Sequence, residues 1–330
     1  MKINRLLIIL FFLFNIDNVK AEESFEIWLS SFRENALSQG ISINTLDLAL
    51  NNVKFLKKVI EYDRYQPEFY EDTKTYVKKR TSNKKVKVGK TLYMMHSNKI
   101  DKISKEFNLE KELLLALMGI ETNFGSYLGK MDILSSLATL SYDKRRSEFF
   151  TNELITLLKL IDKEIISIET LYGSWAGAFG NFQFMPTTIN KYAIDYDKNN
   201  SIELKSIDDS FASAANYLNK MGWKKDKPCF YKVSLKSDIP DIYLNYSARK
   251  INSFDKFKKI KKYIKNTDLN ISDNDVVAII TPDKEIVENP DKLSPAFIIF
   301  PNYTLILNWN RSLRFALAVC TLKERFENEL

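Results

Sequence analysis

Residues 113–125, LLLALMGIETNFG, are almost wholly apolar and carry one carboxylate, Glu121, where a leucine would be expected. Leu114, Leu117, Ile120, Glu121 and Phe124 recur at helical spacing, so Glu121 shares the stripe that should face a core. A carboxylate there is costly unless something uses it. Loss of hydration raises its pKa, and a raised pKa turns a carboxylic acid into a proton donor near neutral pH. The alternative is a glutamate at a helix end that reaches solvent or pairs with a lysine, and structural carboxylates outnumber catalytic ones. Other stretches of the chain decide between the two.

The 330 residues, 45% hydrophobic and 13% aromatic, exclude a disordered chain and suffice for one large domain or two smaller ones. The start, MKINRLLIILFFLFNIDNVKA, puts Lys2 and Arg5 before an apolar run at 6–14 and ends in Val19-Lys20-Ala21, the pattern of a secretory signal peptide over residues 1–21. That run is far shorter than the about 20 residues needed to span a bilayer. No later segment approaches membrane-spanning length, and no cysteine follows the run for lipid attachment. A periplasmic protein without a membrane span is therefore expected. The net charge of +7 becomes +5 if cleavage removes three cations, Lys2, Arg5 and Lys20, and one anion, Asp17. Such a mildly basic chain suits an anionic polymer, although solvated lysines on helix faces are the commoner cause. His96 is the only histidine, which sets aside His-based zinc sites and a Ser-His-Asp triad. Val88-Gly89-Lys90-Thr91 ends like a phosphate-binding loop, but the upstream glycine it needs is Lys84. Cys229 and Cys320 could form one bridge in an oxidising compartment; a buried free thiol at Cys320, within the apolar FALAVCTL, stays equally open.

Taken in order, residues 22–104 read as an α-helical region. Tyr65, Phe69, Tyr70 and Tyr76 precede a basic run of Lys78, Lys79, Arg80, Lys84, Lys85 and Lys87, which suits either a ligand groove or a half-buried helix with a solvated face. Residues 105–224 read as the core, with Asn108 as N-cap of the central helix and further helices at 131–141, 154–161 and 211–223. Arg145 and Arg146 precede an aromatic helix start, as would suit an anionic substrate group. Residues 173–188, GSWAGAFGNFQFMPTT, bring Gly173, Gly177 and Gly180 together, so the segment reads as a cleft wall or as a tightly packed helix pair. Ser174 and Gln183 stand polar among its apolar residues, placed to orient sugar hydroxyls and amides. Residues 195–209 follow the calcium loop of an EF-hand through Asp195, Asp197, Asn199 and the Ser201 carbonyl; position 12 is Ser206 instead of Glu, which makes Asp209 the best remaining ligand. An empty acidic turn is the alternative. In residues 225–330, runs at 276–280, 296–300 and 303–309 read as short strands of a small α/β subdomain before a last helix at 312–326.

GIETNFGSYLG, LATLSYDKRRSEFF, GSWAGAFGNFQFMPTTINKYAIDYD, AANYLNKMGW and the late NYTLILNWNRSLRFALAV, in this order, resemble the B-type membrane-bound lytic transglycosylases, which cut the glycan of bacterial peptidoglycan. The resemblance spans most of residues 22–330. It implies a mainly α fold, with a lysozyme-like helical core, an α-rich N-terminal region and a small α/β subdomain. It also implies a catalytic carboxylate at Glu121, with Ser174 and Gln183 near it in the cleft. Arg145 and Arg146 would line the part that holds peptide or muramyl groups, Tyr217 and Tyr76 would contact sugar, and Trp309-Asn310 would match a Tyr-Asn pair with Asn310 close to the reacting sugar. Structural Ca2+ would be held by Asp195, Asp197, Asn199, the Ser201 carbonyl and Asp209, with no cofactor needed for the chemistry. The sequence departs from the pattern at Trp309 for Tyr, Asn199 for Asp, Asn200 for Gly and Asn181 for an aromatic, and in lacking the lipid-attachment cysteine.

Glycosidases that use two carboxylates hold them about 5 to 5.5 Å apart when retaining and about 6.5 to 9.5 Å apart when inverting. The motif segments here offer one buried candidate, as expected if the substrate's own acetamido group replaces the second. The resulting expectation is non-hydrolytic cleavage of the MurNAc-GlcNAc bond to 1,6-anhydromuramyl products. A hydrolytic muramidase and a non-catalytic peptidoglycan-binding protein are the alternatives. The expected partner is the peptidoglycan strand, with cell-wall synthesis or division machinery as a recruiter; nucleic acid is not expected, and the chain is expected to act as a monomer.

Overall fold

The computed structural model describes residues 24–66, 70–266, 268–284, 286 and 291–330. The signal segment expected at 1–21 and Phe69 of the aromatic stretch lie outside them. The N-terminal region folds as α1 (Phe25–Ser38), α2 (Ile43–Leu50), α3 (Lys57–Arg64), α4 (Thr73–Arg80) and α5 (Asn83–Glu106). Four of these helices start on a side-chain cap: Ser24, Ser42, Asp72 and Ser82 accept the backbone N–H of Ile27, Thr45, Thr75 and Lys85. The phosphate-loop look-alike at residues 88–91 lies inside α5, whose helical path is broken only at His96 (φ −128°, ψ 18°).

The central helix, α6, runs Lys111–Thr122 from Glu110. Asn108 is not its N-cap: it takes a left-handed φ of 52° in the turn that leaves α5, and Glu110 occupies the cap position without a side-chain cap bond. Instead the Glu110 carboxylate accepts the Trp223 indole N–H at 2.8 Å and pairs with Lys323 at 3.3 Å. Leu113, Leu114, Leu115, Ala116, Leu117, Met118 and Gly119 are all buried, so α6 is enclosed on every side instead of along one stripe.

Around it lie β1 (Met131–Asp132), α7 (Ile133–Tyr142), α8 (Ser147–Asp162), β2 (Tyr172–Gly173), α9 (Pro186–Tyr192) and α10 (Ile207–Lys220). The remainder comprises β3 (Phe230–Val233), β4 (Leu244–Asn245), β5 (Asp255–Lys256), α11 (Phe257–Ile260), β6 (Val276–Ile280), β7 (Ala296–Ile299), α12 (Pro301–Trp309) and α13 (Leu313–Glu327). Residues 303–309, expected as a strand, are helical. Pro301 lies in the first turn of α12, where a missing N–H costs nothing and φ is already set for a helix; the aromatic and β-branched composition misleads because Tyr303, Ile306 and Leu307 are buried at helical spacing.

The sheet runs β3-β7-β6-β4, with β5 on β6; β3/β7 and β6/β7 are antiparallel and β4/β6 parallel. Its unbroken apolar runs follow from burial on both faces. Val277, Ile279, Ala296 and Ile298 face a small core with Leu244, Phe257 and Ile260. Their alternates Ala278, Ile280, Phe297 and Ile299 face the main core, which reaches from Phe25 to Phe326. No helix among the described residues is long and apolar enough to cross a membrane.

Cys229 and Cys320 form a disulfide, with Cα atoms 6.0 Å apart, so the free-thiol alternative does not hold. It ties the entrance of β3 to the buried α13 across 91 residues of sequence. Closing a loop of that length removes unfolded-state entropy worth about 4 to 5 kcal/mol. Replacing both cysteines by serine is expected to lower the urea midpoint by a stability loss of about 3 to 5 kcal/mol; an unchanged midpoint would show that the bridge does not constrain the unfolded chain.

Candidate active site

The site forms where the enclosed α6 ends. Asn123, Phe124 and Gly125 follow it with φ of 49°, 60° and 77°, three consecutive left-handed residues that stop the helix and turn the chain. The Asn123 and Phe124 N–H groups both return to the Met118 carbonyl, and Tyr127 N–H reaches the Thr122 carbonyl at 2.9 Å. Thr122, fully buried, donates its hydroxyl to the Asn181 carbonyl at 2.8 Å and accepts the Gly125 N–H at 3.0 Å. Glu121 lies in this anchored last turn. It is half-buried, not enclosed with the leucines that precede it.

Trp309, the last residue of α12, donates its indole N–H to Glu121 Oε1 at 3.0 Å. The indole is held in an aromatic recess: its ring centroid lies 6.2 Å from Phe182, 5.2 Å from Phe184 and 5.0 Å from Tyr217. Tyr192 flanks Tyr217 at 4.6 Å. Burial, with a smaller contribution from Tyr192, pushes the Tyr217 phenol up to about 12, so it stays protonated and can serve as a donor. Asn310 is half-buried beside Trp309 and caps α12.

Residues 173–188 form a glycine-dependent wall, not a helix pair. β1 and β2 pair antiparallel, which brings Gly129 (φ 86°) so close to Gly173 that a Cβ on Gly129 would lie 2.0 Å from the Gly173 carbonyl oxygen. The Ser174 hydroxyl accepts the N–H groups of Ala176 and Ala178, at 3.3 and 3.1 Å, and so shapes the first turn of the wall. Phe179 and Phe184 then exchange backbone hydrogen bonds around a tight turn with Gly180 at φ 79° and Gln183 at φ 49°. The Gln183 amide donates to the Gly180 carbonyl at 2.9 Å and to Leu128 at 3.3 Å, joining this hairpin to the loop after α6. Asn181, in place of an aromatic, donates to the Lys205 carbonyl and to Ser210 Oγ and so ties the hairpin to the acidic loop.

Glu121, Trp309, Asn310, Tyr217, Ser174 and Gln183 thus belong to the end of α6 and the elements bonded to it. Arg145 and Arg146 both clasp Asp63, a carboxylate 2% exposed, with Arg145 Nε at 2.8 Å; the two guanidiniums share this one carboxylate and stay partly exposed. Tyr76 is buried at 3% exposure with the Arg80 guanidinium 3.5 Å above its ring, so that face is closed to a sugar. Phe182, Phe184 and Tyr192 are recess residues that sequence reasoning missed, and nothing separates them in sequence from ordinary core aromatics. Glu153 was also missed. From inside α8 it accepts the Thr187 N–H at 2.9 Å and hydroxyl at 2.7 Å, capping α9 at the far end of the wall.

In the acidic loop, oxygens of Asp195, Asp197 and Asp209 lie within 4.8 Å of one another. Lys198 and Asn200 adopt left-handed φ of 61° and 69°, and the Asn199 N–H turns onto Asp195 Oδ1 at 3.1 Å. Asp209 is fully buried, its two oxygens held at 2.8 Å by the N–H groups of Tyr196 and Glu203. All-oxygen donors with three carboxylates on one point suit a hard divalent cation such as Ca2+.

The profile of the transglycosylase SLT domain family matches residues 24–324. Membrane-bound lytic murein transglycosylase B of Escherichia coli (strain K12) is 34% identical over 151 residues, 46% of this chain and 42% of that protein, so the match spans less than half of the curated relative's length. In three dimensions the chain is similar to SltB3 from Pseudomonas aeruginosa, solved with NAG-anhNAM-pentapeptide: 30% identity, TM-score 0.79, 92% of this chain and 80% of that one. It also shares the fold of the Escherichia coli lytic transglycosylase Slt35 solved with calcium, at 23% identity and TM-score 0.75, covering 91% of this chain and 93% of that one. The expected mainly α, lysozyme-like class therefore holds.

Glu153 makes the wall pH-sensitive. Burial outweighs its two bonds from Thr187 and raises its carboxyl above the usual range. A group raised in the folded state stabilises the fold fully below its unfolded pKa, and that contribution is lost as the pH rises through the folded pKa. The Tm of Glu153→Gln relative to the parent chain should therefore climb as the pH goes from about 4 to about 8; a difference independent of pH would refute this origin.

Proposed function

This chain belongs to the transglycosylase SLT domain family, matched over residues 24–324, and on that premise we propose that it is a peptidoglycan lytic transglycosylase with Glu121 as its single acid and base. The observation that carries the reading is the Trp309–Glu121 hydrogen bond, which fixes a carboxylate at the mouth of an aromatic recess. An indole N–H can only donate, so it holds Oε1 as an acceptor while the carboxyl exchanges its proton. Protonated Glu121 gives that proton to the glycosidic oxygen between N-acetylmuramic acid and N-acetylglucosamine, and the C1–O bond breaks. The substrate's acetamido oxygen stabilises the oxocarbenium-like carbon. Ionised Glu121 then removes the proton from the muramyl C6 hydroxyl as its oxygen bonds to C1, which closes the 1,6-anhydro ring and restores the acid without consuming water. Trp309 offers its aromatic face to a sugar ring, Tyr217, flanked by Trp309 and Tyr192, offers its hydroxyl, and Asn310 and Gln183 meet the sugar's amides and hydroxyls. The place of action is the periplasm, in keeping with the signal sequence read at residues 1–21.

Mass spectrometry of products released from purified sacculi tests the reading. Anhydromuropeptides from the parent chain and at least about 1,000-fold less from Glu121→Gln are expected, the loss typical of an essential acid-base group. Reducing-end muropeptides would instead make it a muramidase, and no product from either protein would make it a binding protein. Trp309→Phe, which keeps a ring but loses the donor, should lower kcat by about 10- to 100-fold, the worth of one hydrogen bond to a charged group.

The acidic loop binds Ca2+ through Asp195, Asp197, Asn199, the Ser201 carbonyl and Asp209, and thereby holds α10 and the Asn181 hairpin in register. Saturating Ca2+ at about 100 times its Kd adds about 2.7 kcal/mol, a Tm rise of several degrees over protein in EDTA. Asp195→Ala with Asp197→Ala should abolish that rise; a rise that persists would place the ion elsewhere.

A further inference from the structure

Within the basic run of the N-terminal region, Lys84 and Lys87 point into solvent, but Lys85 turns inward. Its Nζ donates to the Gly119 carbonyl at 2.6 Å. The last carbonyls of a helix have no partner within it. At the end of α6, Met118 and Thr122 find theirs in the following turn, and Gly119 finds its partner in Lys85. This reach from α5 is fixed by a close helix crossing. One turn along α5, a Cβ on Gly89 would lie 2.3 Å from Phe326 Cζ and 2.7 Å from Phe124 Cζ, and a Cβ on Gly119 would lie 2.6 Å from the same Phe124 atom. α5, α6 and α13 therefore close on the Phe124 ring with no room for further side chains. Burial, and to a lesser degree the nearby Arg80, pulls the Lys85 ammonium below the usual lysine range. Glu121 lies two residues beyond Gly119, at the helix end whose dipole disfavours a carboxylate and favours a cation.

We propose that Lys85 is a positioning residue for Glu121: it closes the last turn of α6 through the Gly119 carbonyl and sets a fixed cation at the helix end that bears the acid-base carboxylate. The inference rests on the function proposed above. Lys85 does its work through the helix backbone, without touching substrate.

The test compares Lys85→Met and Lys85→Arg with the parent chain, by anhydromuropeptide release from soluble glycan strands and by amide hydrogen exchange of residues 119–124. The expected results for Lys85→Met are a kcat lower by about tenfold or more with KM within about twofold, and exchange of those amides faster by about tenfold. Lys85→Arg, which can still donate to the carbonyl, restores both. A kcat within twofold of the parent, a loss confined to KM, or unchanged exchange in Lys85→Met overturns the proposal. Should Lys85→Met not fold, Lys85→Leu, likewise unable to donate, takes its place under the same criteria. If the parent chain releases no anhydromuropeptides, the functional reading fails by itself, and the exchange measurement still decides whether Lys85 holds the turn.

Discussion

A helix enclosed on all sides can meet a ligand only at its ends, and α6 is enclosed from Leu113 to Gly119. That constraint orders the molecule. α5, α10 and α13 supply the enclosure, and they also fix where α6 stops. Three left-handed residues, a buried threonine hydroxyl and an inward lysine all act on its final turn, and Glu121 lies in that turn. The half-burial of Glu121 reconciles two needs: a carboxylate deep among the leucines would be costly and out of reach, and a fully exposed one would have no fixed direction.

The recess around Glu121 draws on segments far apart in sequence. Phe182 and Phe184 come from a hairpin whose glycines admit backbone contacts that a methyl group would block, Tyr217 from α10, and Trp309 from the end of α12. The acidic loop sits behind the hairpin, and Asn181 links the two through the Leu204 and Lys205 carbonyls. A cation there would act on the cleft through the hairpin's position.

Much of this was legible in the sequence. The central helix, the odd carboxylate and the glycine-rich wall stood out because periodicity and residue type report local environment, and motif order carried the family resemblance. The limits were equally physical. Burial on every face of α6 erased the stripe that periodicity was meant to detect. Residues 303–309 had strand-like composition, and Pro301 decided for a helix. Asp63, which pairs with both Arg145 and Arg146, lies in a separate helix with no sequence mark as their partner. Nor does spacing show that Trp309 meets Glu121, since 188 residues separate them.

That separation also bears on when the chain can work. The residue that aims Glu121 lies in a helix near the C-terminal end of the sequence, and the helix after it closes over α6. Packing of α12 is therefore the step that brings this donor to Glu121: two stretches of chain far apart in sequence must meet before the bond exists.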